Sequence, residues 1–348
     1  MAHLRMRWVV ACALLVMLVP MLAACGGGGG STTPAAKKIK VGLVTDIGGL
    51  NDKGFNHLAY VGLQSAIKDF GVQGDVTESH SGNDYVPNLT NYASKGYNLV
   101  IGVGFLMQAA IGQVSGQFPK TNFAIIDGAG TDANGNDLGH TNVESLLFRE
   151  QDAGALVGVI AGTLEKNKEG KKNTDIISAV GGISIPPVNR YIAGYKWAAQ
   201  MADPNIKVLV GYSNDFTDPT KCAGVANSQI GQGSDIVFQV AGGCGLGALQ
   251  AAGQKGVYSI GVDTDQSSAD PSVIASAVKR VDTATHTAIE QVVDNAFHGG
   301  VATFSLENGG VGYAKGTVAL PADALAAEQA LEQQIKSNQL TPPEDIPA

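Results

Sequence analysis

Short apolar runs alternate along this chain with longer segments in which apolar residues recur at helical spacing. The runs 41–44 and 123–126 are apolar throughout, which indicates strands covered on both faces, as in a parallel sheet. Over the first part of the chain, the pattern predicts strands at 39–46, 74–79, 99–104 and 122–127, with helices at 55–70, 87–95 and 107–118.

The same alternation starts again after residue 143. It predicts helices at 151–164, 188–201, 223–231 and 246–255, with strands at 175–180, 207–212, 235–241 and 258–263. In the rest of the chain, the pattern predicts a strand at 273–278 and helices at 283–298 and 322–336. These three elements are too few for a third domain. These last elements are therefore expected to complete the two sheets.

The whole pattern predicts an α/β protein of two doubly wound lobes. We expect residues 38–143 with about 266–300 to form the first lobe, and 144–265 with about 301–348 to form the second. A chain that returns to both lobes crosses several times between them, which favours a cleft that opens and closes on a ligand.

The first 24 residues have the pattern of a secretory signal peptide. Two arginines precede the apolar run 8–21, which is shorter than the ~20 residues of a membrane span. The run ends in a small-residue pattern before Cys25, as in a bacterial lipobox, in which the peptide is cut before the cysteine and the thiol is lipidated. A generic signal peptide with a coincidental cysteine is the alternative. Residues 25–37 predict a flexible tether, so we expect a lipid-anchored body on the extracytoplasmic face of the cell membrane.

Composition and motifs exclude several functional classes. The net charge of -8, from 23 basic and 31 acidic residues, argues against a nucleic-acid partner, which would need clustered cations. The sequence carries no G-x-S-x-G, H-E-x-x-H or Walker motif, and its histidines lack metal-ligand spacing. We therefore expect a protein that is not an enzyme and that has no cofactor and no metal ion.

Three predicted strands end in aspartate, namely Asp46, Asp127 and Asp263. Ligands of open α/β sheets bind outside the carboxyl ends of the strands, so the three side chains are expected to face one region. Each could instead cap the helix that follows it, and a cluster of aspartates is also a candidate for a divalent metal. Carboxylates in both lobes favour a polar ligand site, because each can accept two hydrogen bonds.

Glycine-rich and aromatic loops follow the strands in both lobes. Phe55 comes after the loop 48–54, and Phe216 follows a strand of the second lobe in the same way. One aromatic ring from each lobe suggests a stacking clamp around a flat ligand, although core packing is the usual place of a phenylalanine. Gly242 begins a glycine-rich stretch that only loosely matches a dinucleotide-binding motif.

Two cysteines, Cys222 and Cys244, remain in the body of the protein after Cys12 is removed and Cys25 is lipidated. Both follow strand-end loops of the second lobe, in a compartment that permits disulfides. A disulfide and a pair of buried free thiols are both compatible with this placement.

The chain resembles the basic membrane protein family of lipoproteins, which are substrate-binding proteins of ABC transporters related to purine nucleoside receptors. The resemblance is carried by Thr45-Asp-Ile-Gly-Gly-Leu-Asn-Asp-Lys-Gly-Phe-Asn56 and continues through Phe148-Arg-Glu-Gln-Asp152, Gly261-Val-Asp-Thr-Asp-Gln266 and Val278-Lys-Arg-Val-Asp282. It extends in order from Lys38 to the last helix, and it implies a type I periplasmic-binding fold of two Rossmann-like lobes.

The resemblance also implies roles for individual residues. Phe55 and Phe216 would sandwich a base, with Asp46 beside it and Asp127 at its polar edge. Gly242 would let the backbone come close to the ligand. Asp263 and Lys279 would hold ribose hydroxyls, and Lys279 is identified by the resemblance alone. The sequence departs from the family at Ile47, where purine binders can have asparagine.

Taken together, these features predict a monomeric, lipid-anchored receptor that captures a nucleoside and delivers it to the permease of an ABC importer. Two alternatives stay open. One is a receptor of the same fold for a flavin, a sugar or another heterocycle. The other is an exported hydrolase that uses its aspartates with a metal ion.

Overall fold

The computed structural model describes residues 38–347. The predicted signal peptide, the candidate lipidation site Cys25 and the tether lie outside the described residues. In chain order, the first elements are β1 (Lys40–Val44), α1 (Phe55–Phe70), β2 (Gln73–Thr77), α2 (Tyr85–Ser94), β3 (Leu99–Val103), α3 (Gln108–Gln117), β4 (Asn122–Ile126), β5 (Val143–Phe148) and α4 (Glu150–Lys166).

The next elements are β6 (Ile176–Gly181), α5 (Pro186–Ala202), β7 (Lys207–Tyr212), α6 (Pro219–Gly231), β8 (Ile236–Val240), α7 (Gly242–Gln254), β9 (Tyr258–Asp263) and β10 (Val273–Lys279). The last are α8 (Val281–Val293), β11 (Gly300–Phe304), β12 (Val311–Lys315) and α9 (Ala322–Lys336). None of these helices is long and apolar enough to cross a membrane.

The strands form two six-stranded sheets, each the centre of one lobe. The first has the order β11-β5-β4-β3-β1-β2 and is parallel throughout. The second has the order β12-β10-β9-β8-β6-β7 and is parallel except for β12 at its edge. Every residue of the inner strands β3 and β8 is buried, because crossover helices cover both faces of a parallel sheet. The predicted two-lobed α/β fold is confirmed.

The boundaries between the two lobes along the chain differ from those that we predicted. Residues 143–148 and 300–304 belong to the first sheet, whereas 273–279 belong to the second. The pattern missed β11 and β12 because both are short edge strands, largely exposed or half-buried, without a continuous apolar run. It also missed β5, in which the polar residues Glu144 and Ser145 are buried.

Three connections join the lobes. The chain passes from β5 to α4 at Arg149, from β10 to α8 at Arg280, and from β11 to β12 through residues 305–310. Backbone hydrogen bonds hold these connections together: Arg149 donates to the Phe304 carbonyl, and Arg280 donates to the Gly310 carbonyl, both at 2.9 Å. The ends of α4 and β10 are thereby fixed at the hinge beside the cleft.

Helices α4 and α5 cross unusually closely in the second lobe. A Cβ atom added to Gly154 would lie 2.1 Å from the Tyr191 carbonyl oxygen, and one added to Gly158 would lie 2.3 Å from that of Tyr195. Only glycine fits at such distances, so these positions set how near the two helix backbones come. This contact fixes where the N-terminal turns of both helices meet the cleft.

Candidate ligand-binding cleft

A cleft lies between the two lobes, at the carboxyl ends of the parallel strands. The structure brings all seven sequence-predicted ligand-site residues to its wall: Asp46, Phe55, Asp127, Phe216, Gly242, Asp263 and Lys279. Sequence reasoning missed other lining residues, among them the polar Asp52, Asn56 and Tyr191 and the apolar Phe105, Ile185 and Val188. The cleft has a largely apolar wall with a few convergent polar groups, as is usual for small-molecule sites.

Asp127 and Asp263 occupy equivalent positions in the two lobes. Asp127 follows the last residue of β4 and Asp263 is the last residue of β9, and both are almost fully buried. Each has a left-handed backbone, with φ of 67° and 65°, a conformation that aspartate tolerates better than most residues. Such strained positions cluster at ligand sites.

Lys279 is only 1% exposed and bonds to carboxylates on both sides. Its Nζ lies 2.6 Å from both oxygens of Asp127 and donates a hydrogen bond to Oδ2. It also donates to Glu150 Oε1 at 2.8 Å and lies 5.0 Å from the centre of the Phe55 ring. The other residue predicted to hold the ribose, Asp263, is not in salt-bridge contact with Lys279; its Oδ1 accepts a hydrogen bond from the Tyr191 hydroxyl, at 3.3 Å.

Burial governs the ionisation of these groups. Desolvation raises the pKa of Asp263 to about 7, and the positive charge of Lys279 offsets only part of this effect. Burial likewise raises the pKa of Asp127 to about 6, against the attraction of the same lysine. Burial alone would lower the pKa of Lys279, but the neighbouring carboxylates raise it above its usual value. The lysine therefore stays charged, while the two aspartates titrate near neutral pH.

Asp46 is held in place by three hydrogen bonds within the first lobe. Its Oδ1 accepts from the Ile47 backbone at 2.7 Å and from the Tyr85 hydroxyl. Its own backbone N–H donates to Asn56 Oδ1 at 2.9 Å. Burial raises the pKa of the Asp46 carboxyl despite these bonds. The Ile47 side chain packs against the apolar cluster of the first lobe and does not line the cleft.

Asp52, which is not a strand-end aspartate, caps the helix α1 beside the cleft. It accepts backbone hydrogen bonds from Gly54, Asn56 and His57, at 3.0, 2.7 and 3.1 Å, in the first turn of α1. We considered helix capping as an alternative role for the strand-end aspartates. At α1 this role is filled by Asp52, a loop residue that no pattern in the sequence distinguished. The cap fixes the start of α1, and with it the position of Phe55.

Phe216 is held by a loop that contacts two other segments of the second lobe. A Cβ atom at Gly182 would lie 2.3 Å from the Phe216 ring, so the ring rests directly on this glycine. The Phe216 carbonyl accepts a hydrogen bond from the Cys244 backbone at 3.0 Å. Cys244 in turn forms a disulfide with Cys222, which joins α7 to α6 and excludes the alternative of two free thiols.

The glycine-rich stretch at Gly242 is the first turn of α7, which begins there rather than at residue 246 as predicted. Gly242 has a φ of 54°, a left-handed value at which a side chain would be strained. The glycines hid the start of the helix from the periodicity of the sequence. Their effect is to leave backbone, rather than side chains, at this part of the cleft.

The loop before α1 reaches across to the second lobe. Gln266 Nε2 lies 3.4 Å from the Lys53 carbonyl oxygen, and a Cβ atom at Gly54 would lie 3.4 Å from Asp263 Oδ2. The loop therefore brings the first lobe into contact with the second beside the cleft, which is the arrangement of a closed binding protein. Within residues 38–347, no group of three or more His, Cys, Asp or Glu side chains is placed to hold a metal ion.

Comparison with known proteins places this geometry in context. Residues 39–345 match the family described as ABC transporter substrate-binding protein, PnrA-like. The chain is 36% identical over 289 residues to an uncharacterized lipoprotein of Pyrococcus furiosus, covering 80% of this chain and 70% of that protein. It is 32% identical over 296 residues to the ABC transporter nucleoside-binding protein BmpA of Lactococcus lactis, covering 78% of this chain and 80% of BmpA.

A solved structure is similar over nearly the same range. An ABC transporter system solute-binding protein from Aeropyrum pernix has a TM-score of 0.78 and 29% sequence identity, covering 88% of this chain and 94% of that one. The likeness thus extends over both lobes and the cleft between them.

Proposed function

This chain belongs to the family of PnrA-like substrate-binding proteins of ABC transporters, and on that premise we propose that it captures a purine nucleoside in its cleft. The family consists of binding proteins rather than enzymes, so the chain presents a small-molecule ligand to a transporter permease. The observation that carries the proposal is the meeting of an aromatic side chain from each lobe with a buried carboxylate, Asp263, in one cleft.

The aromatic side chains and the strand-end carboxylates suit different parts of a nucleoside. Phe55 and Phe216 would stack on the two faces of the base, a contact worth about 0.5–1.5 kcal/mol per ring beyond burial. Asp127 and Asp46 would accept from the polar edge of the base, and Gly242 would allow close approach of the backbone. These roles agree with the name of the relative from Lactococcus lactis, the nucleoside-binding protein BmpA.

Asp263 and Lys279 would hold the ribose. In the described part of the chain Asp263 Oδ2 receives no hydrogen bond, so it is free to accept from ribose hydroxyls. Lys279 uses two of its three N–H donors on Asp127 and Glu150, which leaves the third for a ligand oxygen. Charge-assisted hydrogen bonds of this kind contribute about 1.5–3 kcal/mol each.

The test is calorimetric titration with inosine, guanosine, adenosine, cytidine, ribose and riboflavin. We expect one purine nucleoside to bind with micromolar or lower Kd, where 1 μM corresponds to about -8.2 kcal/mol. A heat of binding with ribose or riboflavin, and with none of the nucleosides, would favour a receptor for a sugar or a flavin. Chromatography of the nucleoside after prolonged incubation checks the hydrolase alternative, since a receptor leaves it unchanged.

We further propose that the protein is anchored through lipid on Cys25. The sequence pattern around this cysteine supports the anchor, and a relative from Pyrococcus furiosus carries the name lipoprotein. Expression in a host that processes lipoproteins tests the proposal. The wild-type protein should fractionate with membranes and gain the mass of a diacylglyceryl group, whereas Cys25→Ser should be released or remain unprocessed.

A further inference from the structure

Glu150 is a fully buried carboxylate behind the wall of the cleft, and it does not line the cleft itself. Its Oε1 accepts a hydrogen bond from Lys279 Nζ at 2.8 Å, and its Oε2 accepts one from Arg190 Nε at 2.6 Å. With the Asp127–Lys279 contact, these bonds form a chain of four alternating charges that leads from the cleft into the second lobe.

The fold explains why these charges meet. Glu150 is the first residue of α4, immediately after one hinge connection, and Lys279 is the last residue of β10, immediately before another. Arg190 reaches Glu150 because α4 and α5 are in close contact, where a Cβ atom on Gly194 would lie 1.9 Å from the Gln151 carbonyl oxygen. Glu150 therefore joins two hinge connections and one helix of the second lobe through a single side chain.

The ammonium group of Lys279 depends on this carboxylate. The charged or titratable groups that face it are Asp127 at the end of β4, Glu150 on α4, Asp263 at the end of β9, and Tyr191 and Arg190 on α5. Of these, only Asp127 and Glu150 are in salt-bridge contact with it. An ammonium group removed from water needs such partners, and the loss of one leaves the rest of a buried network uncompensated.

We propose that Glu150 and Arg190 are positioning residues for Lys279, which fix its ammonium group against Asp127 and thereby set the affinity for the nucleoside. The inference rests on the proposed function of the cleft. A carboxylate has acceptors for both cations, whereas the amide of a glutamine has only one acceptor oxygen. Arg190 orients Glu150 by occupying Oε2, so that Oε1 remains directed at Lys279.

The first test compares Glu150→Gln, Arg190→Gln and Arg190→Lys with the wild type by calorimetry with inosine and guanosine. We expect the Kd to rise about 10- to 100-fold in Glu150→Gln and Arg190→Gln, and less in Arg190→Lys, which keeps the charge. If Arg190 acts through Glu150, the double variant with both glutamines binds no more weakly than Glu150→Gln alone. Glu165→Gln is the matched control, since Glu165 is buried at the other end of the same helix, and it should bind as the wild type does.

The second test needs no ligand. The pKa of Lys279 is followed by NMR of labelled lysine side chains, with the resonance assigned from Lys279→Met. In Glu150→Gln it should fall by about 1–3 pH units, the effect of losing an adjacent opposite charge. An unchanged Kd in both Glu150→Gln and Arg190→Gln, or an unchanged pKa of Lys279, would overturn the inference. If the wild type binds neither nucleoside, the proposed function fails, while the pKa still decides whether Glu150 holds the ammonium group.

Should Glu150→Gln fail to fold, Arg190→Gln decides the question, because it leaves both Glu150 and Lys279 in place. A normal Kd in folded Arg190→Gln then contradicts the inference.

Discussion

Asp127 and Lys279 form a buried ion pair across the cleft, with Nζ 2.6 Å from the carboxylate. Asp127 follows the last residue of β4 in the first sheet, and Lys279 ends β10 in the second. Because both side chains line the cleft, the same contact joins the lobes and prepares charged groups for a ligand. The affinity for the nucleoside and the stability of the protein are therefore expected to depend on the same lysine.

Lys279→Met should destabilise the fold as well as abolish binding. The substitution leaves Asp127 and Glu150 buried without their shared cation, and breaking such a pair costs about 3–5 kcal/mol. Urea unfolding measures the loss. Lys315→Met is the control, because Lys315 lies exposed on an edge strand and forms no salt bridge within the described residues. Equal stability of the two variants would show that Lys279 is not held as a buried cation.

The affinity for a nucleoside should rise with pH through the ionisation of Asp263. Burial raises the pKa of this carboxyl to about 7 in the free protein, so it is largely protonated at pH 5.5. Ribose hydroxyls donate to the ionised form and lower its pKa in the complex, so binding strengthens up to about pH 8 and then levels off. Calorimetry at several pH values tests this dependence.

Asp263→Asn should bind more weakly and lose most of that pH dependence. The pH dependence that remains in this variant comes from the ionisation of Asp127, because burial raises the pKa of its carboxyl to about 6. Asp265→Asn, at an exposed site two residues away, should keep the wild-type profile. A profile that is equally steep in Asp263→Asn would assign the titration to another group.

Gly182→Ala should weaken binding although Gly182 itself does not line the cleft. The added methyl group would lie 2.3 Å from the Phe216 ring and would push it from its position. Loss of one stacking contact corresponds to a Kd increase of a few-fold to about tenfold. Gly224→Ala is the control, because a Cβ atom there meets nothing within 4 Å. If both variants bind equally well, Phe216 does not stack on the ligand in this orientation.

Reduction of the disulfide should lower stability more than affinity. The Cys222–Cys244 bond closes a loop with a sequence separation of 22, and cross-links of this size contribute about 3 kcal/mol. Binding should weaken as well, because Cys244 donates its backbone hydrogen bond to Phe216. Urea unfolding with and without dithiothreitol measures the effect, with Cys222→Ser/Cys244→Ser as the control that the reductant should not change. A wild-type transition that is insensitive to reductant would contradict this prediction.

The sequence alone predicted much of the fold and the main polar and aromatic residues of the cleft. The continuous apolar runs of buried parallel strands are a strong signal, and residues that follow such strands must meet at one edge of a sheet. Asp46, Asp127 and Asp263 were found in this way, as were Phe55 and Phe216. Lys279 was found only through the family resemblance, because a single lysine at the end of a strand carries no pattern of its own.

Other features depend on tertiary contacts that periodicity does not encode. Glu150 and Arg190 are 40 positions apart in sequence, and their contact depends on the close approach of α4 and α5 through glycines. The edge strands β11 and β12 have too few buried residues to produce an apolar run. The hydrogen bond from Tyr191 to Asp263 is likewise a contact between distant parts of the chain, because Tyr191 lies on α5 and Asp263 at the end of β9.

The decisive measurement is a crystal structure of the protein with a saturating purine nucleoside. We expect the base to lie between the rings of Phe55 and Phe216, with ribose hydroxyls about 2.5–3.0 Å from the Asp263 carboxylate. A nucleoside bound elsewhere, or one in the cleft whose ribose lies beyond hydrogen-bond distance of Asp263, would contradict it.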